Sequence, residues 1–249
     1  MKLKLVACEV LYRELCALIA RSPHQVDLAV LPKGLHDIGA DGMLARLQAA
    51  VDAADTPGYD AVLMGYALCN NGVSGLRART LPLVIPRGHD CMTLFLGSRA
   101  RYQQYFTDNP GTYFLTSGWI ERGEASGELR QLSIAAKNGM DMTLAQLTEK
   151  YGAENAQYLF EQLCDTTRNY RQISYIAMGV EPDDRFHKEA EARAREHGWK
   201  FDAVKGDLAL LEHLVHAVWN TEEFLVVPPG HRVVATYDER IIDAQPASE

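Results

Sequence analysis

No apolar run in this sequence approaches the roughly 20 residues that a membrane-spanning helix needs, so no transmembrane segment is predicted. Basic charge is scarce too. Lys and Arg total 25 against 33 Asp and Glu, a formal charge of −8. That balance makes nucleic acid or an anionic membrane surface a poor partner. Familiar site motifs are missing as well. There is no G-x-x-x-x-G-K-S/T phosphate loop, and no G-x-G-x-x-G after the first strand, where Ala7-Cys8-Glu9-Val10 stands instead. Nucleotide binding therefore has no motif behind it. The absence of G-x-S-x-G, C-x-x-C and H-E-x-x-H removes several common hydrolase and zinc arrangements by pattern.

What is present describes an ordinary globular chain. Of 249 residues, 47 % are apolar and 23 % charged, close to globular averages, which excludes wholesale disorder. The length fits one large domain or two small ones, and such a chain buries enough surface to fold without disulfide staples. The amino-terminal run MKLKLVACEV opens with lysines, but Glu9 and then Arg13 interrupt it, unlike a secretory signal. The expectation is a cytoplasmic protein whose five cysteines, an odd number, stay as free thiols. That leaves them for packing, catalysis or metal binding.

Residues 1–106 alternate strand and helix patterns. Leu3 to Ala7, Val26 to Leu31, Ala61 to Tyr66 and Leu83 to Ile85 read as strands. Between them, Glu9 to Arg21 carries Leu11, Leu15, Leu18 and Ile19 at helical spacing, and Asp41 to Ala54 carries Met43, Leu44, Leu47 and Val51. Residues 107–170 lose this rhythm. After Asp108-Asn109-Pro110-Gly111 and the aromatics Tyr113, Phe114 and Trp119 they turn helical, and they read as an insertion or lid. Residues 171–243 return to strand and helix, either completing the sheet or forming a second lobe, and 244–249 read as a frayed tail. The fold class expected is α/β: a doubly wound, mostly parallel sheet, Rossmann-like or flavodoxin-like, with a helical insertion.

Three cysteines then take equivalent places. Cys8 ends the first strand, Cys69 follows the third and Cys91 follows the fourth, each at the carboxyl edge of the sheet. Ligands of doubly wound sheets bind outside that edge, where the strand order reverses. With an order beginning 2-1-3-4, strands one, three and four are neighbours about 5 Å apart, and a metal binding sulfur at about 2.3 Å could gather all three. Buried packing is the ordinary fate of a single cysteine, but three at matching edges point to a metal or reactive-thiol site. Cys16 and Cys164 lie within helices and read as packing.

The neighbouring residues fill in the chemistry. Asp90 is a good N-cap for a helix starting at Cys91, and the helix dipole, Arg87 and His89 are expected to lower that thiol's pKa. His89 is the expected fourth ligand or proton-transfer residue. Asn70 and Arg87 are expected to orient an anionic substrate, and Asn70 stands in a Leu68-Cys69-Asn70-Asn71-Gly72 stretch suited to a tight turn with positive φ. Trp119, with Tyr113 and Phe114, is suited to close a lid over a substrate, and packing between insertion and sheet is an alternative of at least equal weight. His36, Glu9 and Glu14 come near the same edge and read as exposed or capping residues.

The strings Gly65-Tyr66-Ala67-Leu68-Cys69-Asn70-Asn71-Gly72, Ile85-Pro86-Arg87-Gly88-His89-Asp90-Cys91-Met92-Thr93-Leu94-Phe95-Leu96-Gly97-Ser98 and Gly111-Thr112-Tyr113-Phe114-Leu115-Thr116-Ser117-Gly118-Trp119 are distinctive together. From Cys8 to about Trp219 the chain resembles a prokaryotic family catalogued as a domain of unknown function. Members of that family are often encoded beside corrinoid-dependent methyltransferases, so the resemblance implies one-carbon metabolism, the demethylation of methylamines or betaines, by association. The residues and the resemblance together lead to three expectations. The first is an enzyme, of transferase, lyase or hydrolase type, acting on a small molecule at zinc or an iron–sulfur cluster held by Cys8, Cys69 and Cys91. The second is an accessory protein that binds a corrinoid protein or delivers metal. The third is a metal-free thiol enzyme with Cys91 as nucleophile and His89 as base. Self-association into a homo-oligomer is left open.

Overall fold

The computed structural model describes residues 1–247. Its main sheet contains β1 (Lys2–Cys8), β2 (Gln25–Leu31), β3 (Ala61–Gly65), β4 (Leu83–Pro86) and a strand from the last third, Phe224–Val227. The order is β2-β1-β3-β4 followed by Phe224–Val227; the first four are parallel and the last antiparallel. This is the doubly wound, mostly parallel arrangement predicted, including the reversal between β1 and β3. β3 and β4 are buried throughout, which explains why they read as unbroken apolar runs, whereas β2 at the edge is partly exposed.

Alternate residues of β1 feed opposite cores. Leu3, Leu5 and Ala7 share a core with Leu11, just before α1 (Tyr12–Ile19), and with Leu15 and Leu18 of that helix, while Val6 shares one with Met43, Leu47 and Val51 of α2 (Ala40–Ala54). After β4 come α3 (Cys91–Leu96) and α4 (Arg99–Asp108). A second, three-stranded parallel sheet follows: β5 (Thr112–Leu115), β6 (Gln172–Ala177) and β7 (Lys200–Lys205). Its outer face is covered by α10, Arg185–His197, through Phe186, Ala190 and Ala194. Its inner face, through Ile176 and Val204, joins the same core as β1 and α1. The two sheets therefore share apolar packing.

The stretch 107–170 is not helical throughout. Thr112–Leu115 forms β5, pairing from Thr112↔Gln172 to Leu115↔Tyr175. Four residues are too few to show a strand period, and the parallel partner lies far along the chain, so local pattern could not reveal it. Five short helices do follow: α5 (Ser117–Glu121), α6 (Gly127–Leu132), α7 (Ile134–Lys137), α8 (Leu144–Tyr151) and α9 (Ala153–Leu159). After β7, α11 (Ala209–Val215) returns to pack against α1, and β8 (Phe224–Val227) rejoins the main sheet.

The expected frayed tail also differs. Its first residues belong to β10 (Ile242–Pro246), paired antiparallel with β9 (His231–Ala235). Ser248 and Glu249 lie outside the described residues. Among the described residues no helix is long and apolar enough to cross a membrane.

Candidate functional site

The carboxyl ends of β1, β3 and β4 meet where the winding reverses, and the three cysteines emerge there. Cys8 is the last residue of β1, Cys69 lies four residues beyond β3, and Cys91 opens α3. All three line one cavity of about 280 Å3. The segment after β2 adds Lys33, Leu35 and His36; β3 and its exit add Gly65, Tyr66 and Asn70; Met43 comes from α2 and Trp119 from α5.

The two cysteine loops are laced together by backbone. Leu68 N–H donates to the Gly88 carbonyl and Cys69 N–H to that of His89, each at 2.9 Å. Cys69, Asn70 and Asn71 all hold positive φ, at 43°, 57° and 63°. Asparagine tolerates this left-handed region; a cysteine there is held by its surroundings at some cost in strain. Asp90 caps α3 as expected, with Oδ1 accepting from Met92 N–H at 2.9 Å and Oδ2 accepting from Tyr102 hydroxyl at 2.8 Å.

Trp119 reaches the pocket because α5 lies almost on the turn after β1. A Cβ at Gly118 would sit 1.8 Å from the Val10 carbonyl oxygen, so only glycine permits that approach. The Trp119 ring then meets the edge of His36 at 5.4 Å between centroids. Its indole Nε1 and the Tyr66 hydroxyl are buried without a full hydrogen bond. Each nonetheless stands beside a sulfur: Tyr66 by Cys8 and Trp119 by Cys91, where both favour the thiolate.

Burial dominates the thiols. It pushes Cys8 up to about 11, against the pull of the Val10 N–H, and Cys69 up to about 12, against the N–H groups of Ala67 and Cys91. Cys91 is raised well above its ordinary range, first by burial and then by the charges of Cys69 and Asp90. The expected depression of Cys91 is thus reversed, because desolvation outweighs one short helix terminus.

The two groups expected to assist that depression point elsewhere. The Arg87 guanidinium is buried and donates to backbone carbonyls of Thr221 at 3.0 Å, Arg240 at 2.8 Å and Ile242. It ties β4 to the carboxyl-terminal strands and is not placed to orient a substrate beside the sulfurs. His89 is exposed and lines a separate, larger cavity of about 950 Å3 with Asn71, Thr93 and Tyr102. Its carbonyl helps to hold Cys69, but its imidazole is not in the cysteine pocket, so neither a fourth-ligand role nor a base for Cys91 has geometric support. Asn70 does line the pocket, at its exposed side.

His36, read as exposed or capping, lines the pocket too. Its Nδ1 donates to the Lys33 carbonyl at 2.5 Å and its Nε2 meets Asp37 at 3.0 Å, so both ring nitrogens are committed. Burial opposes its protonation, but Asp37 outweighs burial and raises its pKa overall. Glu9 accepts from Lys33 N–H at 2.9 Å, and Glu14 is wholly buried.

Two residues escaped notice in the sequence. Tyr66 stands one residue past β3, and Lys33 follows Pro32 at the end of β2. The rule that singled out the cysteines, position at the carboxyl edge, applies to both. Among the described residues no group of three His, Cys, Asp or Glu is arranged to hold a metal ion as it stands.

Residues 30–215 match the family model described as "Protein of unknown function (DUF1638)". No curated protein and no solved structure matches the chain.

Proposed function

This chain belongs to the DUF1638 family, and on that premise we propose that Cys8, Cys69 and Cys91 hold a soft metal centre, zinc or an iron–sulfur cluster, at which a small molecule reacts. One observation carries this reading: three thiols from three separate strand ends open into a single cavity at the sheet's switch point. The donor set suits the group. Thiolates select zinc and iron–sulfur clusters over hard cations, and sulfur bound to metal is stabilised by donors around it. The unsatisfied Tyr66 hydroxyl and Trp119 indole N–H are such donors, each beside a different sulfur.

Three protein ligands leave a position open, where the bound group would polarise a substrate or activate a thiol or water. The chain's own residues do the rest. Leu35, Met43 and Trp119 keep the cavity largely apolar and exclude water, while Asn70 at its open side is available to a substrate. Methyl transfer from methylamines or betaines, with a corrinoid protein as partner, is the setting that the sequence resemblance suggests; it rests on that association alone.

The test is metal analysis and an absorption spectrum of protein purified without oxygen. One equivalent of zinc, or iron and sulfide with a brown chromophore, is expected. Reduced protein that retains no metal, and takes up neither zinc nor a reconstituted cluster, would overturn the reading. A finer check is Trp119→Phe, which keeps the aromatic packing and removes the N–H beside Cys91. Metal affinity should fall by about tenfold, the lower end for loss of an outer hydrogen bond, with the melting temperature little changed. Unaltered affinity in a competition titration would deny the indole that role.

A further inference from the structure

We propose that the larger cavity is a second ligand site, which holds the carboxylate of a small molecule on Arg87, Arg99 and the first turn of α4. This cavity, of about 950 Å3, lies across a shared wall from the cysteine pocket. Leu68, Asn71, His89 and Thr93 face it, whereas Cys69, Asn70, Asp90 and Cys91 of the same two segments line the pocket with the sulfurs. The site is independent of whatever those sulfurs bind.

Arg87 forms the floor and is only 8 % exposed. Its Nε donates to the carbonyls of Thr221 and Phe224, at 3.0 and 3.3 Å, and its Nη1 to those of Arg240 and Ile242. Nη2 is left without a partner, and the guanidinium forms no ion pair among the described residues. Carbonyls solvate a cation without neutralising it, so a buried charge still lacks its anion. Thr93, wholly buried against the same cavity, holds a hydroxyl with no hydrogen-bond partner. The ten-residue helix α4 adds donors, since Ser98, Arg99 and Ala100 all line the cavity. Ser98 Oγ accepts from Arg101 N–H at 3.2 Å, which leaves the N–H groups of Arg99 and Ala100 free among the described residues. Free N–H groups and the positive end of the helix dipole suit an anion. The Arg99 guanidinium, like that of Arg87, donates to carbonyls, those of Glu239 and, at 3.0 Å, Glu222.

Four acids line the cavity as well, and they decide which anion fits. Glu223 accepts from Asn220 Nδ2 at 2.6 Å and lies 2.7 Å from His213 Nδ1, and Asp238 is paired with Arg240 at 2.8 Å. Glu222 and Glu239 are exposed, and the Glu222 carboxylate comes no nearer to Arg99 than 3.9 Å. Exposed His89 completes the titratable lining. Charge therefore runs from a buried basic floor to an exposed acidic rim. Rim charges are screened by water and salt, whereas those of the floor are screened much less. A singly charged carboxylate, planar and matched to guanidinium, gains the floor at little cost. A phosphate dianion would carry its second charge against the rim. Leu68, Leu210 and Ile241 give the cavity apolar surface, so the rest of the ligand is an apolar body.

The probe is phenylacetate, titrated into the full metal-free chain and followed through the backbone amide resonances of Arg99 and Ala100. Inorganic phosphate and phenethylamine serve as comparisons. Phenylacetate should shift both amides saturably, with phosphate and the amine weaker by about tenfold or more, the scale of a hydrogen bond to a charged group. Arg99→Gln should weaken phenylacetate by about tenfold, and Arg87→Gln by at least as much. Arg87 also ties β4 to the carboxyl-terminal strands, so circular dichroism must show that its variant folds; Arg99→Gln decides the matter if it does not. The site is overturned if phenylacetate produces no saturable shift, if phosphate or the amine binds as tightly, or if Arg99→Gln or folded Arg87→Gln binds undiminished. Because the titration uses metal-free protein, failure of the metal reading leaves its outcome unchanged.

Discussion

Replacing any one of Cys8, Cys69 or Cys91 by serine is expected to weaken metal binding by more than about 100-fold, beyond the loss typical of outer-shell partners. Cys16→Ser and Cys164→Ser should leave it unchanged. The three sulfurs come from β1, the loop after β3 and the start of α3, so no local pair of cysteines can compensate for a missing one. A serine hydroxyl preserves the size of the side chain but is neither soft nor ionised near neutrality, so it does not replace a thiolate. Cys16 borders a different cavity, with Arg13 and Gly179, and the Cys164 thiol donates to the Gly139 carbonyl at 3.6 Å. Zinc content and cobalt titration, with far-ultraviolet circular dichroism to confirm folding, would read the result. A folded single-serine variant at one of the three positions that retained full affinity would remove that residue from the ligand set.

Glu14→Gln should remove a pH-dependent stability penalty of roughly 3 kcal/mol, at about 1.4 kcal/mol per pKa unit. Glu14 lies on α1, is wholly buried, and has no hydrogen-bond partner at either carboxyl oxygen. Burial first, then the charges of Glu181 and Glu121, push its carboxyl up to about 7 from an ordinary 4.5, with Arg13 opposing. Below pH 4.5 the folded and unfolded chains both hold the proton, and the group adds no penalty. Between 4.5 and 7 only the folded chain holds it, so stability falls as pH rises; above 7 the penalty is complete. Glutamine is neutral throughout. Its stability should match that of the unsubstituted protein near pH 4.5 and exceed it at pH 8. Urea unfolding at both pH values checks this, and other titrating groups cancel between the two proteins. Parallel stability profiles would show that Glu14 is ionised when folded.

Much of the fold was legible because local residues carry it. Unbroken apolar runs at Ala61–Gly65 and Leu83–Pro86 announce strands buried on both faces, and they are the central strands of a parallel sheet. Asp90 announces a helix start, and its carboxylate accepts from Met92 N–H at 2.9 Å. The convergence of Cys8, Cys69 and Cys91 followed from topology, since parallel winding sends the end of every such strand to one edge.

Side-chain direction and environment were not legible. Arg87 and His89 are two residues apart in one loop, and both line the second cavity away from the sulfurs, with the Arg87 guanidinium spent on carbonyls of the carboxyl-terminal segments. Lys33 and Tyr66 carry no motif, and β5 finds its partner only at Gln172–Tyr175. The amino-acid order by itself determined the strand and helix rhythm, the caps and the edge to which the cysteines run, because these depend on neighbours along the chain. The tertiary structure alone decided which groups surround the sulfurs and how dry they are. Dielectric and hydrogen-bond partners come from distant segments, and at Cys91 their combined effect exceeds and reverses that of its own helix terminus.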